Sequence, residues 1–468
     1  MTLTSTRSAP LERWTTANLE RTGHWSNDLN RLSRAKAMTK QAQNGHRRPF
    51  HIMVATNRIS SFVRIAESLI ESTGVTNLLS AKTPEGRPIV RWTYIAMESE
   101  FSEAVTDEMS KALTILSDVG VQTTLVTSES TPGITSISSS RIAVLEYLRH
   151  HPEEDNPIIA WLDDDLSFET LVTRGGVPIE THAWSWLHEV WDFHDNNPGI
   201  SIGLGDVTGA PPLPASSTIT SSLRDLVASQ HNLSTDADEN RWSKFDYYYD
   251  ISEDRTDFSA WPMIARVDEY TDCRLLHELL VNGSIARPLV ATSSSLSQTQ
   301  SGRYVRGGNT VIFDSRWMRE IDHPNISRRG DTIWALKAER SGATLGHFPI
   351  PLHHLRECMY ADWPSRRASV LNSWRHRIEA DLIGSSIQRW LRNGVNTDDE
   401  AIAILISRAS ALRTSLLDAI NYASILENKC KEEILISLQS GIDAIDCITN
   451  SPGQINPLLN EMRNYMEE

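Results

Sequence analysis

At about 100–200 residues per domain, the 468-residue chain is long enough for several folding units and a well-buried core. Its 40% hydrophobic and 22% charged residues exclude wholesale disorder, its apolar runs fall short of the ~20 residues that span a membrane, and a net charge of −15 argues against a nucleic-acid-binding surface. Cys273, Cys358, Cys430 and Cys447 are far apart and form no CxxC pair, which argues against a thiolate zinc site or a dense disulfide framework; with no apolar h-region in residues 1–50, the expectation is a soluble protein of the reducing cytoplasm.

Residues 1–48 form a basic arm of charge +6 on a remainder of −21, which predicts packing of the arm against the acidic body or against an anionic partner. From Phe50 the pattern alternates. Residues 51–55 read as a strand, and Phe62, Ile65 and Leu69 as a helix ending near Gly74. Residues 92–97 are a second strand. Phe101, Val105, Met109, Leu113 and Leu116 share one helical face, with Gly120 as its stop. A strand over 121–127, a helix marked by Ile142, Leu145 and Leu148, and a strand over 158–162 complete four strands with three helical crossovers. This pattern predicts an α/β fold with a mostly parallel sheet covered by helices on both faces.

The middle is less regular. An aromatic-rich helix is expected over 180–194, a strand over 200–204, a polar loop or lid over 233–260 with Tyr247, Tyr248 and Tyr249, and a Ser/Gln/Thr-rich linker over 293–301. Tyr304 to Phe313 and Ala343 to Phe348 regain strand character. From Trp363 onward the pattern is helical: Leu371, Trp374, Ile378 and Leu382 share a face, and Thr397 with Glu400 forms a capping box. The domain reading is therefore an arm at 1–48, an α/β unit at 49–357 and a helical subdomain at 358–468, the last a candidate surface for self-association.

The feature with most chemical content is Asp163-Asp164-Asp165, directly after the apolar strand 158–162. Ligands of open parallel sheets bind beyond the carboxyl ends of strands. On an extended backbone Asp163 and Asp165 would project to one side, and a divalent cation is the simplest neutraliser of two such carboxylates. Mg²⁺ or Mn²⁺ takes oxygen ligands, and phosphate oxygens complete its shell. Three aspartates ending a strand, with Asp165 as a helix cap, are the plainer alternative.

An Asp-x-Asp at this place resembles the signature of GT-A-fold, nucleotide-sugar-dependent glycosyltransferases, particularly the family-2-like group. The resemblance spans about residues 50–357. It implies a nucleotide-contacting loop at Ala55-Thr56-Asn57-Arg58, with Asp163 near the ribose, Asp164 beside it and Asp165 on the metal. Arg306-Gly307-Gly308-Asn309 resembles the Gly-Gly segment lining the donor and acceptor pocket in that family. Physically, paired glycines let a backbone approach a sugar closely.

Arg328 to Trp334 resembles the acidic segment beneath the acceptor site, which would make Asp331 the general base at a helix start. This chain has Gly330-Asp331 where the family often has Glu-Asp, which leaves inverting and retaining chemistry both open. Many GT-A enzymes place a histidine after the last such strand as a metal ligand, a role that falls on His353 or His354, with His353 favoured and Arg356 close enough to hold the leaving diphosphate. The stretch from Asp165 to Gly307 is long for a minimal member and implies an inserted lid or acceptor loop.

The expected activity is transfer of a sugar from a nucleoside-diphosphate sugar to an acceptor hydroxyl, with Mn²⁺ or Mg²⁺. A sugar-phosphate nucleotidyltransferase shares the α/β plan, but Thr56-Asn57-Arg58-Ile59 lacks its Gly-rich loop; a non-catalytic scaffold with a decayed site is the remaining alternative. His182, His188 and His194 are six residues apart, on different helical faces, and read as structural or solvent-facing. Trp161, Trp184, Trp186 and Trp191 read as core. No P-loop, no GxGxxG after the first strand and no GxSxG elbow is present.

Overall fold

The computed structural model describes residues 25–56, 60–73, 76–97, 103–128, 134, 136–174, 177–182, 186–209, 216–231, 258–260, 275–276, 279–280, 289–291, 310–314, 317, 321–354, 363–394 and 397–467. The lid at 233–257, the linker at 293–301 and the stretch 304–309 lie outside these residues.

Helix α1 (Trp25–Gln43) leads into strand β1 (Phe50–Thr56), followed by α2 (Ser60–Thr73), β2 (Val90–Met97), α3 (Glu103–Asp118), β3 (Gln122–Ser128), α4 (Ser136–His150) and β4 (Ile158–Leu162). These are the alternating elements read from the apolar pattern. β1 pairs in parallel with β2 on one side and β4 on the other, and β2 pairs in parallel with β3. The order β3-β2-β1-β4 means that the chain winds outward from β1, then returns to its far side. That reversal is a topological switch point, where the connections leave a crevice beyond the strand ends.

Side chains along β1 alternate between two cores. Phe50, Ile52 and Val54 pack with Ile65 and Leu69 of α2 and Met109 and Leu116 of α3. Met53 and Ala55 face the other way, onto Val144, Leu145 and Leu148 of α4. Coverage on both faces is why β1, β2 and β4 read as continuous apolar runs.

Beyond β4 come β5 (Leu166–Ser167), β6 (Glu169–Arg174), β7 (Val177–His182), α5 (Trp186–Asn196), β8 (Ile202–Gly209), α6 (Ser216–Gln230), β9 (Phe258–Ala260), β10 (Leu289–Ala291), β11 (Thr310–Asp314), α7 (Gly330–Arg340) and β12 (Leu345–His354). β11 inserts antiparallel between β4 and β8, and β12 runs parallel to β8. The result is an α/β fold whose mostly parallel sheet is flanked by helices, as expected.

The helix expected over 180–194 is shorter. Residues 177–182 instead form β7, antiparallel to β6, and the helix starts at Trp186. Gly175-Gly176 between the two runs is a hairpin signal that the aromatic spacing obscured. Pro178 is tolerated there because β7 ends the sheet path.

The C-terminal region is helical, with α8 (Trp363–Arg392), α9 (Asp398–Ile425), α10 (Lys431–Asn450) and α11 (Asn456–Glu467). Thr397 caps α9 by accepting from the Glu400 amide at 3.3 Å. Trp374, Ile378, Leu382, Leu405, Leu416, Leu438 and Met462 share a core with Ile219, Leu223 and Leu226 of α6, so these helices pack on the α/β part rather than standing apart. No helix among the described residues is long and apolar enough to cross a membrane.

The described part of the basic arm lies against the acidic helix α5. Arg34 pairs with Asp192 at 2.9 Å and Arg47 with Asp195 at 2.6 Å. His188 of α5 is buried and lies 3.0 Å from Thr39 Oγ1 of α1, a structural placement. Trp161, Trp186 and Trp191 are core residues.

Candidate active site

The aspartate triad lies at the switch point between the ends of β1 and β4. The backbone does not stay extended through it: it turns at 164–165 before β5 begins. The period-two argument rested on an extended backbone through 163–165, which this turn replaces. Each aspartate instead meets a partner from a different element.

Asp163 keeps the facing of Trp161 and meets Arg141, whose Nη2 donates to its Oδ1. Asp164 turns toward β1 and accepts from Thr56 Oγ1. Asp165, swung round by the turn, lies with its Oδ2 3.1 Å from His354 Nε2. For Asp163 a buried guanidinium supplies a neutralising charge.

The histidine pair is separated by strand alternation. β12 pairs antiparallel with β5, placing His354 opposite Leu166, the residue after Asp165. That register delivers the His354 ring to the carboxylate. His353 packs over Gly209: a Cβ built on that glycine would lie 2.5 Å from His353 Nε2. The structure thus brings Asp165 and His354 together, while His353, the favoured ligand of the sequence reading, packs over Gly209.

Asp331 sits in the first turn of α7, near its positive end. Arg141 grips it with a fork: Nε lies 3.2 Å from Oδ1 and Nη2 3.2 Å from Oδ2. His323 Nε2 lies 3.2 Å from the same Oδ1. Burial works to raise the Asp331 pKa, but the Arg141 charge and the His323 hydrogen bond hold it below the ordinary carboxylate value. For Asp163 burial wins, pushing its pKa up against the pull of Arg141. Arg141 itself is buried with its guanidinium 4.7 Å from the centroid of the Trp161 ring; burial opposes its charge, while Asp331 and Asp163 stabilise it and keep it protonated.

The Gly330 that departs from the Glu-Asp pattern has a steric reason here. A Cβ at Gly330 would lie 2.8 Å from His323 Nε2, so the imidazole occupies the space a longer residue would need.

Sequence reasoning passed over Arg141 and His323. Arg141 carried a signal: it is three, four and seven residues before Val144, Leu145 and Leu148, a charge in line with a buried stripe. His323 carried none, since its role depends on a loop reaching α7. Asn57, Arg58, Gly307, Gly308, Asn309 and Arg356 lie outside the described residues.

Among the described residues no group of three or more His, Cys, Asp or Glu side chains is placed to hold a metal ion. Asp165 and His354 supply one carboxylate and one imidazole at the strand ends. This donor chemistry fits Mn²⁺ or Mg²⁺, which keep waters and use substrate phosphates for the rest of their shell.

No family model matches the sequence, and no curated protein matches it. Among solved structures, the chain is similar to the mannosyltransferase PcManGT from Pyrobaculum calidifontis in complex with GDP-Man and Mn²⁺. The two share 13% identity over 92% of this chain and 96% of that chain, with a TM-score of 0.37.

Proposed function

We propose that the chain is a metal-dependent glycosyltransferase of the GT-A type, moving a sugar from a nucleoside-diphosphate sugar to an acceptor hydroxyl. The observation that carries this reading is convergence: Thr56, Asp163, Asp164, Asp165, His354 and Asp331 come from four separate places in the chain to one strand-end mouth. The catalytic unit in this reading is 49–357, with the arm at 1–48 and the helices from 358 as supports.

Asp163, part-exposed at 28% beside Arg141, faces the nucleotide ribose. Thr56 orients Asp164, and Asn57 and Arg58 continue the nucleotide loop. Asp165 and His354 would hold Mn²⁺ or Mg²⁺, which when bound supplies Lewis-acid stabilisation of the departing diphosphate. Gly307, Gly308 and Asn309 line the sugar pocket and Arg356 holds the diphosphate. Asp331 takes the acceptor hydroxyl proton. It is ionised at neutral pH, as a base must be, but its lowered pKa makes it a weaker base than one poised near neutrality.

Calorimetry with UDP and GDP, with and without Mn²⁺, tests the reading, together with hydrolysis of a panel of nucleotide sugars. Manganese-dependent binding that is lost in Asp165→Ala and weakened at least tenfold in His354→Ala is the expected result. Binding that survives both substitutions removes the site assignment. No binding and no turnover with any divalent ion favours a scaffold with a decayed site.

A further inference from the structure

Arg141 touches both carboxylates that the proposed reaction assigns to opposite substrates. It rides on the buried stripe of α4, in line with Val144, Leu145 and Leu148, and is itself buried. Burying a guanidinium is costly, and an apolar residue of similar size in such a place is often neutral or stabilising. Packing therefore gives no reason for an arginine here. What the guanidinium does is bridge. Its Nε and Nη2 hold Asp331 at 3.2 Å each, and the same Nη2 donates to Asp163. Because one nitrogen serves both acids, the geometry of one carboxylate is felt by the other. The face of Trp161 lies beneath the guanidinium, 4.7 Å from ring centroid to Cζ.

Resting on the glycosyltransferase reading, in which Asp163 lies on the nucleotide side and Asp331 on the acceptor side, we propose that Arg141 is a positioning residue that couples donor binding to the acceptor carboxylate. A nucleotide that engages Asp163 changes the hold of the guanidinium on Asp331, and neutralising Asp331 leaves Asp163 with an undivided cation. Lysine cannot substitute fully, because a point charge lacks the fork that holds two acids in a fixed relation.

The test is a double-mutant cycle read by calorimetry with UDP and GDP in the presence of Mn²⁺. Asp331→Asn, on the acceptor side in this reading, is expected to weaken nucleotide affinity about fivefold in the native background, within the range of coupling between charged neighbours. In an Arg141→Met background the same change is expected to do less than twofold. Arg141→Lys, which retains the charge, serves as a second background if the methionine variant is not folded, with an expected effect of about twofold. Equal effects in all backgrounds, or no effect in the native one, overturn the coupling.

A second readout needs no nucleotide. In denaturant unfolding, Arg141→Met with Asp331→Asn is expected to be no less stable than Arg141→Met alone, because the acid deprived of its cation has been removed. Additive losses would show that the arginine acts by packing and overturn the bridge. If native protein binds no nucleoside diphosphate, the glycosyltransferase reading and the donor–acceptor coupling fail together, and the stability cycle alone decides whether Arg141 ties the two acids.

Discussion

Gly330→Ala is a single-methyl change whose consequences follow from one ring position. The new Cβ would lie 2.8 Å from His323 Nε2, closer than side-chain atoms pack, and the imidazole is itself buried. The ring must move, and Nε2 is the atom that meets Asp331 Oδ1 at 3.2 Å. Losing a hydrogen bond to a charged group costs about 1.5–3 kcal/mol, and a displaced rotamer adds about 0.5–1.5 kcal/mol. Replacing glycine in a helix returns up to about 1 kcal/mol. The expected net loss is about 1–3.5 kcal/mol, read as a lowered midpoint in denaturant unfolding followed by tryptophan fluorescence. Gly199→Ala is the control, since nothing lies within 4 Å of its added methyl. In a His323→Ala background, where the ring is gone, Gly330→Ala is expected to be neutral or mildly stabilising. An undiminished loss in that background, or a loss no greater than that of the control, would refute the account of why this position is glycine.

Burial, and then the charge of Arg47, lower the His188 pKa to about 3. The unfolded chain takes up this proton near pH 6.5 and the folded one does not, so stability falls as pH drops from 6.5 toward 3, by up to about 1.4 kcal/mol per unit from this group. His188→Gln should flatten that acid limb in unfolding midpoints measured against pH; parallel curves would remove the argument. At Gly209, φ is +84° and a Cβ would meet His353. Gly209→Ala should therefore destabilise by at least about 1 kcal/mol and, by displacing the end of β12, weaken Mn²⁺ binding in calorimetry. Thr397→Ala removes the side-chain cap of α9 and should cost about 1 kcal/mol in the same unfolding assay, without changing nucleotide affinity.

The alternation from Phe50 to Leu162 was legible because both faces of the sheet are covered, which forces continuous apolar strands separated by amphipathic helices. The α4 stripe was read through Ile142, Leu145 and Leu148, yet Ile142 is only half-buried, and the centre of the buried face runs through Arg141. A charge in an apolar stripe is discounted by any hydropathy reading, so the residue with most to say about the site was the one such a reading discards. The β6–β7 hairpin was hidden for the opposite reason: Trp184, Trp186 and Trp191 suggested a helix that starts later than their spacing implied.

Three consecutive acids were visible in the sequence; how each is stabilised was not. Local patterning gives Asp163, Asp164 and Asp165 a common place at a strand end and a common need for positive charge or hydrogen-bond donors. The fold answers separately for each, through Arg141 from α4, Thr56 from β1 and His354 from β12. A carboxylate tied to guanidinium has its charge balanced by protein. A carboxylate beside an imidazole offers an oxygen and a ring nitrogen, a donor pair with the chemistry to attract a cation. Asp163 and Asp165 thus differ chemically although they are two residues apart. In the proposed glycosyltransferase reading, that division assigns the metal to the β12 side of the triad and Asp331 to the α4 side, a separation of tasks that depends on which elements arrive at the strand ends and has no counterpart in the spacing of the aspartates.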